Sequence, residues 1–139
     1  MLIIKITKKK GGELQLKQLV EGLLEDLSTK EVFLFRIACG VCTMEYANRP
    51  MRFSKADVIP STPQKKIIYD AIYEQEFQSA KRSAIWEAAE QLNYCPICKR
   101  LVCNRCFLIC DDLDMCKQCA SDLNEAGVPV LSDMLEVAI

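Results

Sequence analysis

The chain has no histidine in 139 residues. That removes the side chain most used as a general base near neutral pH and the commonest nitrogen ligand for metals. Glycine and proline are sparse at five each, and aromatic residues make up 7% with a single tryptophan. No apolar run approaches the roughly 18–20 residues that a membrane span needs. The start, Met1-Leu2-Ile3-Ile4-Lys5-Ile6, is too short and too quickly charged for a signal peptide. There is no Gly-x-Gly-x-x-Gly, so a dinucleotide site has no support. Internal repeats and low-complexity tracts are lacking too. The expectation is a soluble, cytoplasmic protein.

Cysteine, by contrast, is abundant: nine residues, eight of them in pairs spaced two apart. The pairs are Cys39/Cys42, Cys95/Cys98, Cys103/Cys106 and Cys116/Cys119, and Cys110 stands alone. A secreted disulfide framework would need an export signal, whereas a reducing compartment leaves thiols available to metal. In Cys-x-x-Cys a tight turn aims both sulfurs at one ion at about 2.3 Å, and intervening backbone N–H groups can donate to the thiolates. Eight such sulfurs suit two Cys₄ zinc sites. Iron is chemically possible in a Cys-Pro-Ile-Cys knuckle, but two such sites favour zinc. Four sulfurs leave no position open for water, so these sites are expected to be structural rather than catalytic.

Net charge is −1, unevenly spread. Residues 1–110 carry 17 Lys/Arg against 12 Asp/Glu, and residues 111–139 carry one against seven. A duplex-binding domain is usually clearly basic, and this chain is not.

Residues 2–7 read as a short strand and Lys8-Lys9-Lys10-Gly11-Gly12 as a polar turn. Leu16, Leu19, Val20, Leu23, Leu24 and Leu27 recur at helical spacing and predict an amphipathic helix over about 13–28. Residues 32–38 read as an apolar strand leading to Cys39, and 43–60 as irregular or hairpin-like. Thr62-Pro63 is a helix start, with Thr62 as N-cap and proline in the first turn. Nothing breaks a helix from Gln64 to Leu92, which would run roughly 43 Å and must project or break near Gln78-Ser79. Its stripe of Tyr69, Tyr73, Phe77, Ala80, Ala84 and Ala88 reads as core, with Trp86 part of that packing. A short helix is expected after Cys119 to Glu125 with Gly127 as its stop. Residues 128–131 should be extended, and Ser132 should cap a last turn through Val137. Cys110 reads as a small buried side chain ending a strand. The organisation expected is therefore α+β: an N-terminal strand-helix-strand layer (1–38), a two-zinc module with an inserted helix at about 63–92 (39–127), and a C-terminal tail (128–139).

Only Lys99-Arg100-Leu101-Val102 separate the second pair from the third, too few to fold comfortably back onto one ion. Those pairs should serve different metals. Two arrangements survive: sequential (first with second, third with fourth) or crossed (first with third, second with fourth). Cys95-Pro-Ile-Cys98, four residues, Cys103-Asn-Arg-Cys106-Phe107, nine residues, Cys116-Lys-Gln-Cys119 resembles the second half of a FYVE-type finger. Val102 matches the apolar residue that family has before its fifth cysteine. The resemblance implies a cross-braced treble clef, with Cys39, Cys42, Cys103 and Cys106 on one zinc and Cys95, Cys98, Cys116 and Cys119 on the other. It covers residues 95–119 and the first knuckle. RING and LIM fingers use histidine and shorter spacers at the same place. FYVE fingers read a phosphoinositide through a basic, histidine-bearing motif, but here that stretch is Glu90-Gln91-Leu92-Asn93-Tyr94-Cys95-Pro96. The first pair is also 52 residues from the second. Lipid recognition is not implied.

The function expected is that of a non-catalytic zinc-binding protein, an interaction adaptor or regulator whose partner is another protein. One alternative is a nucleic-acid-binding zinc finger using Lys8–Lys10, Arg49, Arg52, Lys55, Lys65, Lys66, Lys81, Arg82, Lys99, Arg100 and Arg105. A RING-like ubiquitin-ligase role is a second, and thiol chemistry at Cys110 a further one.

Overall fold

The computed structural model describes residues 10–130. The expected strand at 2–7 and last turn at 132–137 lie outside them. Among the described residues, two shorter helices and ten short strands are arranged around one long helix.

Helix α1 (Lys10–Leu23) begins inside the stretch read as a polar turn, so Lys10, Gly11 and Gly12 are helical. It buries Leu16 and Val20 and ends at Leu23, short of the expected end near residue 28. The reason lies downstream. Strand β1 (Glu25–Asp26) pairs antiparallel with Phe35–Arg36, which a continued helix would forbid. The chain then turns on side chains: Ser28 N donates to Asp26 Oδ1 at 2.9 Å, and Glu31 N and Val32 N donate to Thr29 Oγ1 at 3.2 and 3.1 Å.

The apolar run 32–38 is two strands rather than one. Strand β2 (Val32–Phe33) and strand β3 (Phe35–Ala38) part at Leu34, whose N–H donates to Ser28 Oγ at 3.0 Å. β3 pairs with β1 and with β4 (Glu45–Ala47), while β2 pairs with β5 (Met51–Arg52). Asn48, 3% exposed, holds the two sheets together. Its Oδ1 accepts from Phe35 N at 2.6 Å, and its Nδ2 donates to Phe33 O at 3.4 Å and Arg49 O at 2.9 Å.

Helix α2 (Pro63–Gln91) is unbroken. Thr62 caps it, its Oγ1 accepting from Lys65 N at 3.1 Å. The helix neither breaks at Gln78 nor projects along its whole length; its first turns stand clear and the rest is packed. Tyr69, Tyr73 and Phe77 meet Phe33, Phe35 and Phe53 in an aromatic cluster with ring centroids 5.1–6.3 Å apart. Further along, Ile85, Ala88 and Ala89 pack against Leu16, Val20 and Ile37. The small side chains let α1 approach closely. Trp86 is one residue round from that buried stripe and is 58% exposed, contrary to the core reading. Lys17 Nζ sits 2.9 Å above its ring centroid, a cation–π contact at the surface.

α2 runs straight into β6 (Leu92–Tyr94), which pairs antiparallel with β7 (Leu101–Cys103). β8 (Phe107–Cys110) lies between β9 (Met115–Cys116) and β10 (Gly127–Pro129). Helix α3 (Lys117–Asp122) ends earlier than expected, and Asn124 rather than Gly127 stops it. Asn124 has φ 55°, with Glu125 N donating to Ala120 O at 2.8 Å and Asn124 N to Ser121 O at 3.2 Å. That is a Schellman motif with asparagine in the left-handed position. Gly127 instead lets β10 approach β8: a Cβ there would lie 2.7 Å from Cys110 Sγ and 2.9 Å from Ile109 O.

Candidate metal centres

Two knuckles share one backbone design. In the first, Cys39 N donates to Met44 O (2.8 Å) and Thr43 N to Cys39 O (3.2 Å). In the second, Cys95 N donates to Arg100 O (2.9 Å) and Lys99 N to Cys95 O (2.8 Å). Each turn closes through a residue in the left-handed region just after its second cysteine, Thr43 at φ 61° and Lys99 at φ 61°. Both chains are thereby bent so that the two sulfurs face one point.

The third pair spans β7 and the turn after it, with Cys106 N donating to Cys103 O at 3.0 Å. The fourth sits at the start of α3, where Cys116 is the N-cap and its Sγ accepts from Cys119 N at 3.4 Å. The β6–β7 hairpin carries Cys103 back beside Leu92. At about 3.3 Å per residue, Cys103 is about 13 Å along the strand from Lys99 at the turn. The four-residue gap thus separates the inner pairs physically.

The sulfurs gather in the crossed order: Cys39, Cys42, Cys103 and Cys106 in one group, Cys95, Cys98, Cys116 and Cys119 in the other. Within each group all four Sγ atoms lie within 4.8 Å of one another. Separations within the groups include 3.7 Å (Cys42–Cys103), 3.9 Å (Cys95–Cys119) and 3.8 Å (Cys98–Cys116). A tetrahedron with 2.3 Å metal–sulfur arms has edges of about 3.8 Å, and a disulfide closes to about 2.0 Å. All nine cysteines are free thiols. Each group has the donor set and spacing to hold a zinc ion.

The surroundings of the sulfurs shift their ionisation in opposite directions. Burial works against ionisation of Cys39, yet N–H donors from Cys42, Cys103 (3.2 Å) and Val41 bring its thiol down to about 7. Its partner Cys103 is raised by burial, and Cys106 is pushed far up by burial and neighbouring thiols. In the second group burial also opposes ionisation of Cys98, but the Arg100 Nε–H at 3.1 Å holds it at about 6, while burial and nearby sulfurs push Cys119 up to about 12. Backbone N–H groups thus favour the thiolate at Cys39, and Arg100 favours it at Cys98. A cation held by each group would offset the mutual repulsion of four thiolates.

Arg100, which the sequence offers only as one of several cations, lies against the sulfurs. It reaches Cys98 Sγ, Gly40 O (2.9 Å), Gln118 Oε1 (3.0 Å) and Cys116 Sγ (4.0 Å). It therefore ties the first knuckle, the second group and α3 together. A cation two residues past the closing cysteine of a knuckle was the signal available. Lys117 N to Cys106 O (2.7 Å) and Gly40 N to Leu101 O (2.8 Å) add backbone links between the groups. Cys110 belongs to neither. It ends β8 as expected but is half-buried rather than buried, its thiol raised by burial and by Asp114, Glu125 and Asp111.

Comparison with protein-family models, with curated proteins and with solved structures returned no match. Among the described residues no helix is long and apolar enough to cross a membrane.

Proposed function

We propose that this is a non-catalytic zinc protein in which two structural ions brace a treble-clef-like module whose surfaces dock another protein. The observation that carries the reading is the pair of closed sulfur groups at tetrahedral edge spacing. A knuckle, the β8–β9 hairpin and the start of α3 supply the second group in the order of a treble clef, which supports the FYVE-type architecture without its lipid motif. Four thiolates fill the coordination sphere, so the ions contribute rigidity rather than chemistry. Free thiols throughout fit a reducing compartment.

The nucleic-acid alternative is weaker because its cations are engaged or dispersed. Arg52 pairs with Asp57 (2.8 Å), Lys66 with Asp70 (2.5 Å) and Lys81 with Glu21 (3.6 Å), and Arg100 serves the sulfurs. Lys66 and the end of α2 at Gln91 are about 37 Å apart along the helix, so the clusters at its two ends do not converge. Affinity capture from the native cell, with wild type against a Cys95→Ser/Cys98→Ser variant, tests the adaptor reading. A discrete protein partner retained by the wild type alone supports it, and capture of nucleic acid alone overturns it.

A further inference from the structure

Beyond the sulfurs, the feature least explained by folding is the apolar surface where the chain enters α2. Val58, Ile59 and Pro60 form one wall of an open groove of about 290 Å³, and Ile68, Tyr69 and Ile72 form the other. Ile59 is 89% exposed, Ile68 59% and the adjoining Ile67 70%. Scattered exposed aliphatics need no explanation, but a contiguous set around a concavity marks an interaction site. Tyr69 and Ile72 also pack on the aromatic cluster, which anchors that wall of the groove. Its volume is at the low end for small-molecule cavities, about 300–1,000 Å³, and its open side suits side chains presented by a peptide.

The charged residues that line the groove are of one sign. Lys55 and Lys65 are its charged lining residues, with no carboxylate among the lining. The nearest acids in sequence are held by other partners, Asp57 by Arg52 and Asp70 by Lys66. An occupant must bring apolar side chains for the walls and negative charge for the lysines. We propose that the groove docks a short segment of a partner protein, apolar in its centre and flanked by aspartate or glutamate. The proposal rests on the interaction reading above and names the surface that serves it.

The test selects random peptides of about twelve residues, displayed on phage, on the full zinc-loaded chain. Selections run in parallel on wild type, Ile68→Asp and Lys55→Glu/Lys65→Glu, and unchanged zinc content and thermal melt confirm that each variant is folded. Wild type is expected to enrich peptides with large apolar residues and net negative charge. A synthetic copy of the leading peptide should lose about tenfold or more in affinity for Ile68→Asp. The charge-reversed variant should select net positive peptides with the same apolar spacing. Failure to enrich any sequence, unchanged affinity for Ile68→Asp, or no switch in peptide charge would overturn the proposal. Wild type that dimerises in sedimentation while Ile68→Asp stays monomeric would also overturn it, because the occupant is then a second copy. Peptides that bind elsewhere remove the groove yet leave the interaction reading standing. Partner capture that does not depend on Cys95 and Cys98 removes that reading instead.

Discussion

Replacing Lys99 by glycine takes the Cβ off a residue that the second knuckle holds at φ 61°. An L-residue in the left-handed region costs about 1–2 kcal/mol, and glycine's freer unfolded chain gives back about 0.5–1 kcal/mol of that relief. The net expectation is about 0.5–1 kcal/mol in favour of the closed knuckle. Zinc-free knuckles have little reason to hold this turn, so the gain enters metal affinity as well as folding. It amounts to about two- to fivefold in apparent zinc affinity at the second group. Competition against a chromogenic chelator measures it, alongside urea unfolding of the loaded protein. Lys99→Val supplies the opposite arm, since a branched residue is worse still at positive φ. Thr43→Gly should act the same way on the first group, where Thr43 also sits at φ 61°. If Lys99→Gly and Lys99→Val weaken zinc binding equally, the lysine side chain and not the turn geometry governs the site, and the reasoning fails.

Two further outcomes follow from the same contacts. Arg100→Met should speed release of one of the two metals to a chelator, and Arg100→Lys should not restore it, because a single ammonium cannot serve Cys98 Sγ, Gly40 O and Gln118 Oε1 together. Phe53→Ala should cost about 3–5 kcal/mol in urea unfolding, since Phe53 is 1% exposed against Phe33, Tyr69 and Tyr73. It should leave metal content unchanged, because that cluster contains none of the sulfurs.

The cysteine pairs were legible in the sequence because sulfur spacing is a local constraint; the four-residue gap narrowed their grouping to crossed or sequential, and the fold brings them together crossed. α2 was legible for a similar reason: Thr62-Pro63 starts it and nothing interrupts it. What failed were decisions made by partners distant in sequence. The leucine stripe of α1 continues through Leu27, but pairing of Glu25–Asp26 with β3 ends the helix first. The run 32–38 gives no sign that Ser28 and Asn48 will divide it between two sheets. Arg100 read as one of several surface cations, because a guanidinium's partners at Gly40 and Gln118 lie 60 and 18 residues away. Trp86 sits between the buried Ile85 and Ala88 in sequence, but the turn of the helix carries its ring to the surface.

Counting the metal held by one variant distinguishes two zinc ions in crossed sulfur groups from every other arrangement. Native mass spectrometry of the wild type should give two zinc ions per chain. The variant with serine at Cys39, Cys42, Cys103 and Cys106 should retain one, because Cys95, Cys98, Cys116 and Cys119 remain a complete set. Fewer than about 1.5 zinc ions in the wild type, or none in the variant because both sites were cut, would contradict it.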